Sequence, residues 1–96
     1  MQTIKDNYIY KFSGDNEPVA HASNGEVLRF ITRDCFNCQI TSEEQTMDKI
    51  IYEECNPATG PVYIDGAEPG DVLAVDILDI EVADHGVVAA DRKSVV

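Results

Sequence analysis

The sequence predicts a mainly β protein, a sandwich or barrel with one short inserted helix. Short runs rich in aromatic and β-branched residues follow one another along the chain, and such side chains fit a pleated, half-buried surface. Gly, Pro and Asn turn formers separate the runs at close intervals, the spacing of an all-β domain. No internal repeat, linker or low-complexity tract interrupts them.

Residues 8–12 (Tyr-Ile-Tyr-Lys-Phe) read as the first strand, and the turn cluster 13–18 follows. Residues 19–22 form a short strand and 26–32 its expected hairpin partner. Asn24-Gly25 between them supplies the positive φ angles that a tight hairpin needs. Residues 42–54 predict a helix: Ser42 with Gln45 suits a capping box, and Met47, Ile50 and Ile51 share helical spacing. Pro57 ends it, since proline lacks the helical N–H and restricts Asn56 before it. Residues 62–64 form a strand, and Glu68-Pro69-Gly70-Asp71 fits a type II turn. Residues 72–82 are the longest strand candidate. Their apolar side chains occupy both parities, which predicts cover on both faces.

Ninety-six residues allow one domain, and a 44% hydrophobic content is ordinary for a globular chain. Eighteen acidic residues against seven basic ones give a net charge of -11. That balance repels phosphate backbones and anionic lipid, so neither nucleic acid nor membrane is an expected partner. No apolar run is long enough to span a bilayer, and the first residues lack a signal-peptide layout. The chain reads as cytoplasmic. Cys35, Cys38 and Cys55 are an odd set, which argues against a complete disulfide framework.

Four features can carry chemistry. Cys35 and Cys38 form a CxxC that, with Cys55 and His21 or His85, can supply a Cys₃His zinc set. The plainer alternative is three buried or incidental cysteines. Either histidine can also serve alone as a ligand or general base, or be an ordinary surface residue. Asp34 follows a strand, where a carboxylate can reach a cleft and bind a metal or accept a proton from water. The plainer reading is a turn or cap carboxylate. The constrained run Asn56-Pro57-Ala58-Thr59-Gly60-Pro61 can present backbone N–H groups and the Thr59 hydroxyl in fixed positions, or simply connect helix to strand.

Several segments together resemble the acetamidase/formamidase family. Asn16-Glu17-Pro18-Val19 and Gly25-Glu26-Val27 resemble its opening hairpin, and Thr32-Arg33-Asp34-Cys35-Phe36 its aspartate segment. The most specific stretch runs from Asn56-Pro57-Ala58-Thr59-Gly60-Pro61 through Glu68-Pro69-Gly70-Asp71-Val72-Leu73. Residues 76–82 and 86–90 continue it. The resemblance implies that residues 1–90 are the amino-terminal part of a larger β-sandwich. It also implies metal-assisted hydrolysis of formamide, acetamide or related small amides to ammonia and a carboxylate. Zinc is the expected ion, sometimes with calcium. Asp34 is the expected catalytic and metal-binding residue, with Asn56, Thr59 and Gly60 shaping the substrate pocket.

The family's later segments, of the form His-Gly-Gly-Asn followed by Asp, and Gly-Asp near a His and a Glu, have no counterpart here. Those are its expected metal ligands, so the chain alone is expected to be an inactive fragment. Residues 91–96 resemble nothing in the family and read as the tail of a truncated or frameshifted frame. A site completed between copies, or a non-catalytic binding module with the Cys₃His zinc, are the competing expectations. An incomplete sandwich should also self-associate through exposed strand edges.

Overall fold

The computed structural model describes residues 1–42, 44, 45 and 47–88. The expected tail at 91–96 lies outside the described residues, as do 89 and 90. The fold is mainly β, as expected, and makes a partial sandwich of three two-stranded sheets. The strands are β1 (Gln2–Ile4), β2 (Tyr8–Ile9), β3 (Ala20–Ala22), β4 (Leu28–Phe30), β5 (Ala58–Thr59) and β6 (Val62–Ile64). β1 runs parallel to β4, with Ile4 opposite Phe30. β3 runs parallel to β6, with Ala22 opposite Ile64. β2 is antiparallel to β5, with Tyr8 opposite Thr59.

The expected hairpin between residues 19–22 and 26–32 does not form. A turn forms there, but not the hairpin kind: Gly25 has φ +83° while Asn24 is not left-handed, and the Glu26 N–H donates to the Ser23 carbonyl at 3.0 Å. The strands on either side then take different partners. Gln2 explains the separation, because its Nε2 donates to the His21 carbonyl at 2.7 Å and to Glu26 Oε2 at 2.6 Å. Its side chain thus occupies the carbonyl that a hairpin ladder would draw on. The Gln2 bond, with the Ser23 N–H, also holds Glu26 below its ordinary carboxylate pKa.

The expected helix over 42–54 is corrected to two short 3₁₀ turns, Met47–Lys49 and Tyr52–Glu54. Half of the capping box is present, since Gln45 Oε1 accepts from the Ser42 N–H at 2.9 Å. Propagation fails further on. Gln39 pairs both backbone groups of Ile51, accepting its N–H at 2.8 Å and donating to its carbonyl at 3.1 Å. Ile51 therefore has no N–H left for the helical bond to the preceding turn.

The type II turn at Glu68–Asp71 forms as expected. Gly70 has φ +96°, and the Asp71 N–H donates to the Glu68 carbonyl at 3.0 Å. The long strand expected at 72–82, covered on both faces, is absent. These residues pair with no strand among the described residues, and their large apolar side chains are 70–93% exposed. A long contact, Arg29 to Glu81 at 3.7 Å, reaches back to β4. The radius of gyration, 16.4 Å, exceeds the roughly 12 to 13 Å of a compact chain of this length. The core is correspondingly small. Ile4, Ala22 and Ile50 are its buried apolar side chains among the described residues.

Candidate active site

Two segments distant in sequence lie side by side. The Asn56 N–H donates to the Cys35 carbonyl at 2.7 Å, and the Thr59 hydroxyl donates to the Ile31 carbonyl at 2.8 Å. These bonds lay residues 56–59 along residues 31–35. The structure therefore brings Asp34 into the same region as Asn56, Thr59 and Gly60. On the other side of this seam β5 pairs with β2.

Asp34 stands just beyond β4, half-buried. Its Oδ1 accepts the N–H groups of Phe36 at 2.9 Å and Cys38 at 3.0 Å, and its carbonyl accepts from Asn37 N–H at 2.9 Å. Asn37 and Cys38 both adopt left-handed backbone, φ +55° and +57°. A carboxylate that gathers N–H groups in this way orders its own tight turn. The carboxyl group is thereby held within its own loop.

The turn that starts at Asn56 is constrained at both ends. Asn56 is left-handed, with φ +57°. Gly60 is buried with φ +129°. Asn7 clamps Gly60 on both sides, its carbonyl accepting the Gly60 N–H at 3.0 Å and its Nδ2 donating to the Gly60 carbonyl at 2.6 Å. Beside this turn opens a mainly apolar cavity of about 220 Å³, lined by Ile9, Tyr10, Lys11, Phe12, Asn56 and Ala58. It is large enough for a small neutral molecule and presents little polar surface.

Neither histidine is gathered here. His21 Nδ1 lies 3.1 Å from Asp65 Oδ1, with its ring against Tyr63. His85 Nδ1 lies 2.8 Å from Asp84 Oδ1. The Cys₃His ligands are not brought together. Among the described residues no three His, Cys, Asp or Glu side chains converge on a point where a metal can sit. The donors present therefore do not fit a complete zinc or calcium site. Burial raises the Cys55 thiol pKa, and the charges of Cys35 and Asp34 raise it further.

Three residues of the seam were not singled out from the sequence. Asn7 is one, and only its contact with Gly60 reveals it. Arg33 is another: its Nη2 donates to the Asn37 carbonyl at 2.8 Å, and its guanidinium lies 5.6 Å from the centre of the Tyr8 ring. A hydrogen bond with Tyr8 raises the Arg33 pKa, against the opposing effect of desolvation. Asn37 is the third. Its Nδ2 donates to the Tyr10 hydroxyl at 3.2 Å, while its buried Oδ1 has no hydrogen-bond partner. The Asp-x-x-Asn spacing of residues 34–37 was the available signal, and it is a weak one.

Comparison with known proteins gives a consistent result. Residues 2–90 match the model of the Acetamidase/Formamidase family. An acetamidase of Mycolicibacterium smegmatis is 34% identical over 68 residues, which is 69% of this chain and 17% of that protein. The crystal structure of an acetamidase from Bacillus halodurans superposes with a TM-score of 0.70 at 41% identity, covering 72% of this chain and 24% of that one. A predicted acetamidase/formamidase from the thermophile Thermoanaerobacter tengcongensis gives 0.66 at 37% identity, covering 70% and 23%. The chain thus spans less than a quarter of the length of each of these relatives. With its seam of residues 31–35 against 56–59 and a family match along almost its whole length, the chain belongs to the acetamidase/formamidase family.

Proposed function

We propose that this chain is the part of a small-amide hydrolase that supplies one carboxylate and one wall of the pocket. Formamide and acetamide are the substrates in this reading, with ammonia and a carboxylate as products. Asp34 is its catalytic group, moving a proton between water and the leaving nitrogen. Asn56, Thr59 and Gly60 shape the substrate's surroundings. The carrying observation is the seam itself, where two backbone-directed hydrogen bonds hold the Asn56 turn against the Asp34 loop.

Metal assistance by zinc, sometimes with calcium, belongs to the same proposal. Asp34 is the one ligand assigned to this chain. The short span relative to family members and the lack of a converging donor set among the described residues support the further reading that the chain does not turn over amides alone.

A chimera tests both parts. Residues 1–90 are joined to the remaining sequence of the Bacillus halodurans acetamidase, and ammonia release from formamide and acetamide is followed with zinc present. The chimera is expected to be active, and Asp34→Asn within it to lose at least about 100-fold in kcat, the lower range for a lost acid–base group. The 96-residue chain by itself is expected to release no ammonia above the blank. Full activity in Asp34→Asn removes that residue from the chemistry. Metal-dependent turnover by the isolated chain removes the fragment reading.

Self-association is proposed as well, and it rests on the bare segment 72–82. An apolar strand candidate without a partner is a template for pairing with another copy. The mass measured by light scattering is expected to rise with concentration, and more steeply in salt, which screens the net charge of -11. A constant monomer mass under both conditions rules this out.

A further inference from the structure

We propose that Cys35 and Cys55 form a thiol–disulfide exchange site whose closed form bonds the Asp34 loop covalently to the turn that begins at Asn56. The first support is distance. The Asn56 N–H donates to the Cys35 carbonyl at 2.7 Å. The Cα atoms of Cys35 and Cys55 each lie one peptide arm from that bond. Standard backbone dimensions then keep them within about 7.5 Å of one another at the outside. Disulfides bridge Cα separations of roughly 4.4 to 6.8 Å, so little or no backbone movement is required.

The second support is selectivity. Both thiols are free, Cys35 exposed and Cys55 half-buried. Cys38 follows a left-handed Asn37, is left-handed itself, and has its N–H fixed to Asp34 Oδ1 at 3.0 Å. The CxxC neighbours are therefore held differently: the Cys35 carbonyl is bonded to the Asn56 N–H, and the Cys38 N–H to Asp34.

The chemistry balances with a small-molecule disulfide such as oxidised glutathione as the oxidant. The exposed Cys35 thiolate attacks one glutathione sulfur, the glutathione S–S bond breaks, and one glutathione thiolate leaves. The Cys55 thiolate then attacks the Cys35 sulfur of the mixed disulfide and expels the second glutathione. The protein gives up two electrons and two protons, and one disulfide becomes two thiols. The closed form fixes Asp34, next to Cys35, relative to Asn56, next to Cys55. This proposal stands apart from the amide chemistry, since it concerns only the seam between the two segments.

The experiment treats the full chain with oxidised glutathione under native conditions, followed by non-reducing peptide mapping after trypsin. The peptide from Asp34 to Lys49 is expected to be joined to the peptide that contains Cys55. The Cys38→Ser chain should form the same link at the same rate, and the Cys35→Ser chain at least tenfold more slowly. A Cys35–Cys38 loop as the main product overturns the proposal. So does a Cys38–Cys55 link that forms equally fast in Cys35→Ser, or glutathione adducts without any internal link. The unsubstituted chain in concentrated urea guards against variants that fail to fold. There the preference for the Cys35–Cys55 link should disappear, and an identical product mixture in urea and in buffer overturns the proposal.

Discussion

Replacing Gly60 by alanine is expected to lower the thermal midpoint by about 10 °C, the effect of roughly 2 kcal/mol on a domain of this size. The cause is conformational. Gly60 sits at φ +129°, a region that L side chains rarely adopt. Forcing another residue into it costs roughly 1–3 kcal/mol. Space is a smaller issue, because an added Cβ meets the Val62 nitrogen at 3.4 Å. Relaxing the backbone offers no escape. Asn7 holds Gly60 through both its N–H and its carbonyl, and any rotation breaks one of these bonds. Gly14 supplies the control. It has no positive φ, and a Cβ there meets nothing within 4 Å. Gly14→Ala should leave the midpoint within experimental error. Equal midpoints for the two variants would show that the Gly60 turn is not held as described.

Ile4→Ala should cost about 2–5 kcal/mol, the range for truncating a buried isoleucine. Ile4 is 4% exposed and is one of only three buried apolar side chains among the described residues. A domain of this length has a total stability of roughly 5–14 kcal/mol, and a core this small points to the lower end. One truncation therefore removes a large share of what holds β1 against β4. The strand's backbone bonds do not compensate, although the Ile4 carbonyl still accepts the Ile31 N–H at 2.9 Å. Ile77→Ala removes a similar side chain from a site that is 73% exposed. It is expected to leave the urea midpoint unchanged. If Ile4→Ala and Ile77→Ala unfold at the same urea concentration, Ile4 is not part of a working core.

Local chemistry made some of this fold legible. Residues 62–64 formed the expected strand because β-branched and aromatic side chains lie between turn formers. Turns at Gly25 and Gly70 followed from residues that accept positive φ. Partner choice was not legible. Asn24-Gly25 makes its turn regardless of what the flanking strands do next, and Gln2, remote in sequence, redirected them. The helix over 42–54 was misread for a related reason. Its spacing suited a helix, but Gln39 claimed both backbone groups of Ile51 from outside the window. β1 was missed because a three-residue strand at a chain start shows no periodicity.

The candidate site divides in the same way. Asp34, Asn56, Thr59 and Gly60 were selected by residue type and by resemblance to a family, and each occupies a constrained position. Asn7, Arg33 and Asn37 gained their importance only from contacts with Gly60, Tyr8 and Tyr10, all remote in sequence. By itself the sequence settled the family, the mainly β character and the turns, because these depend on neighbouring residues and on motif order. The tertiary structure decided which strands pair, that residues 31–35 lie against 56–59, and that 72–82 stays bare. Strand pairing depends on hydrogen-bonding groups competing across long separations, and no local window contains both competitors.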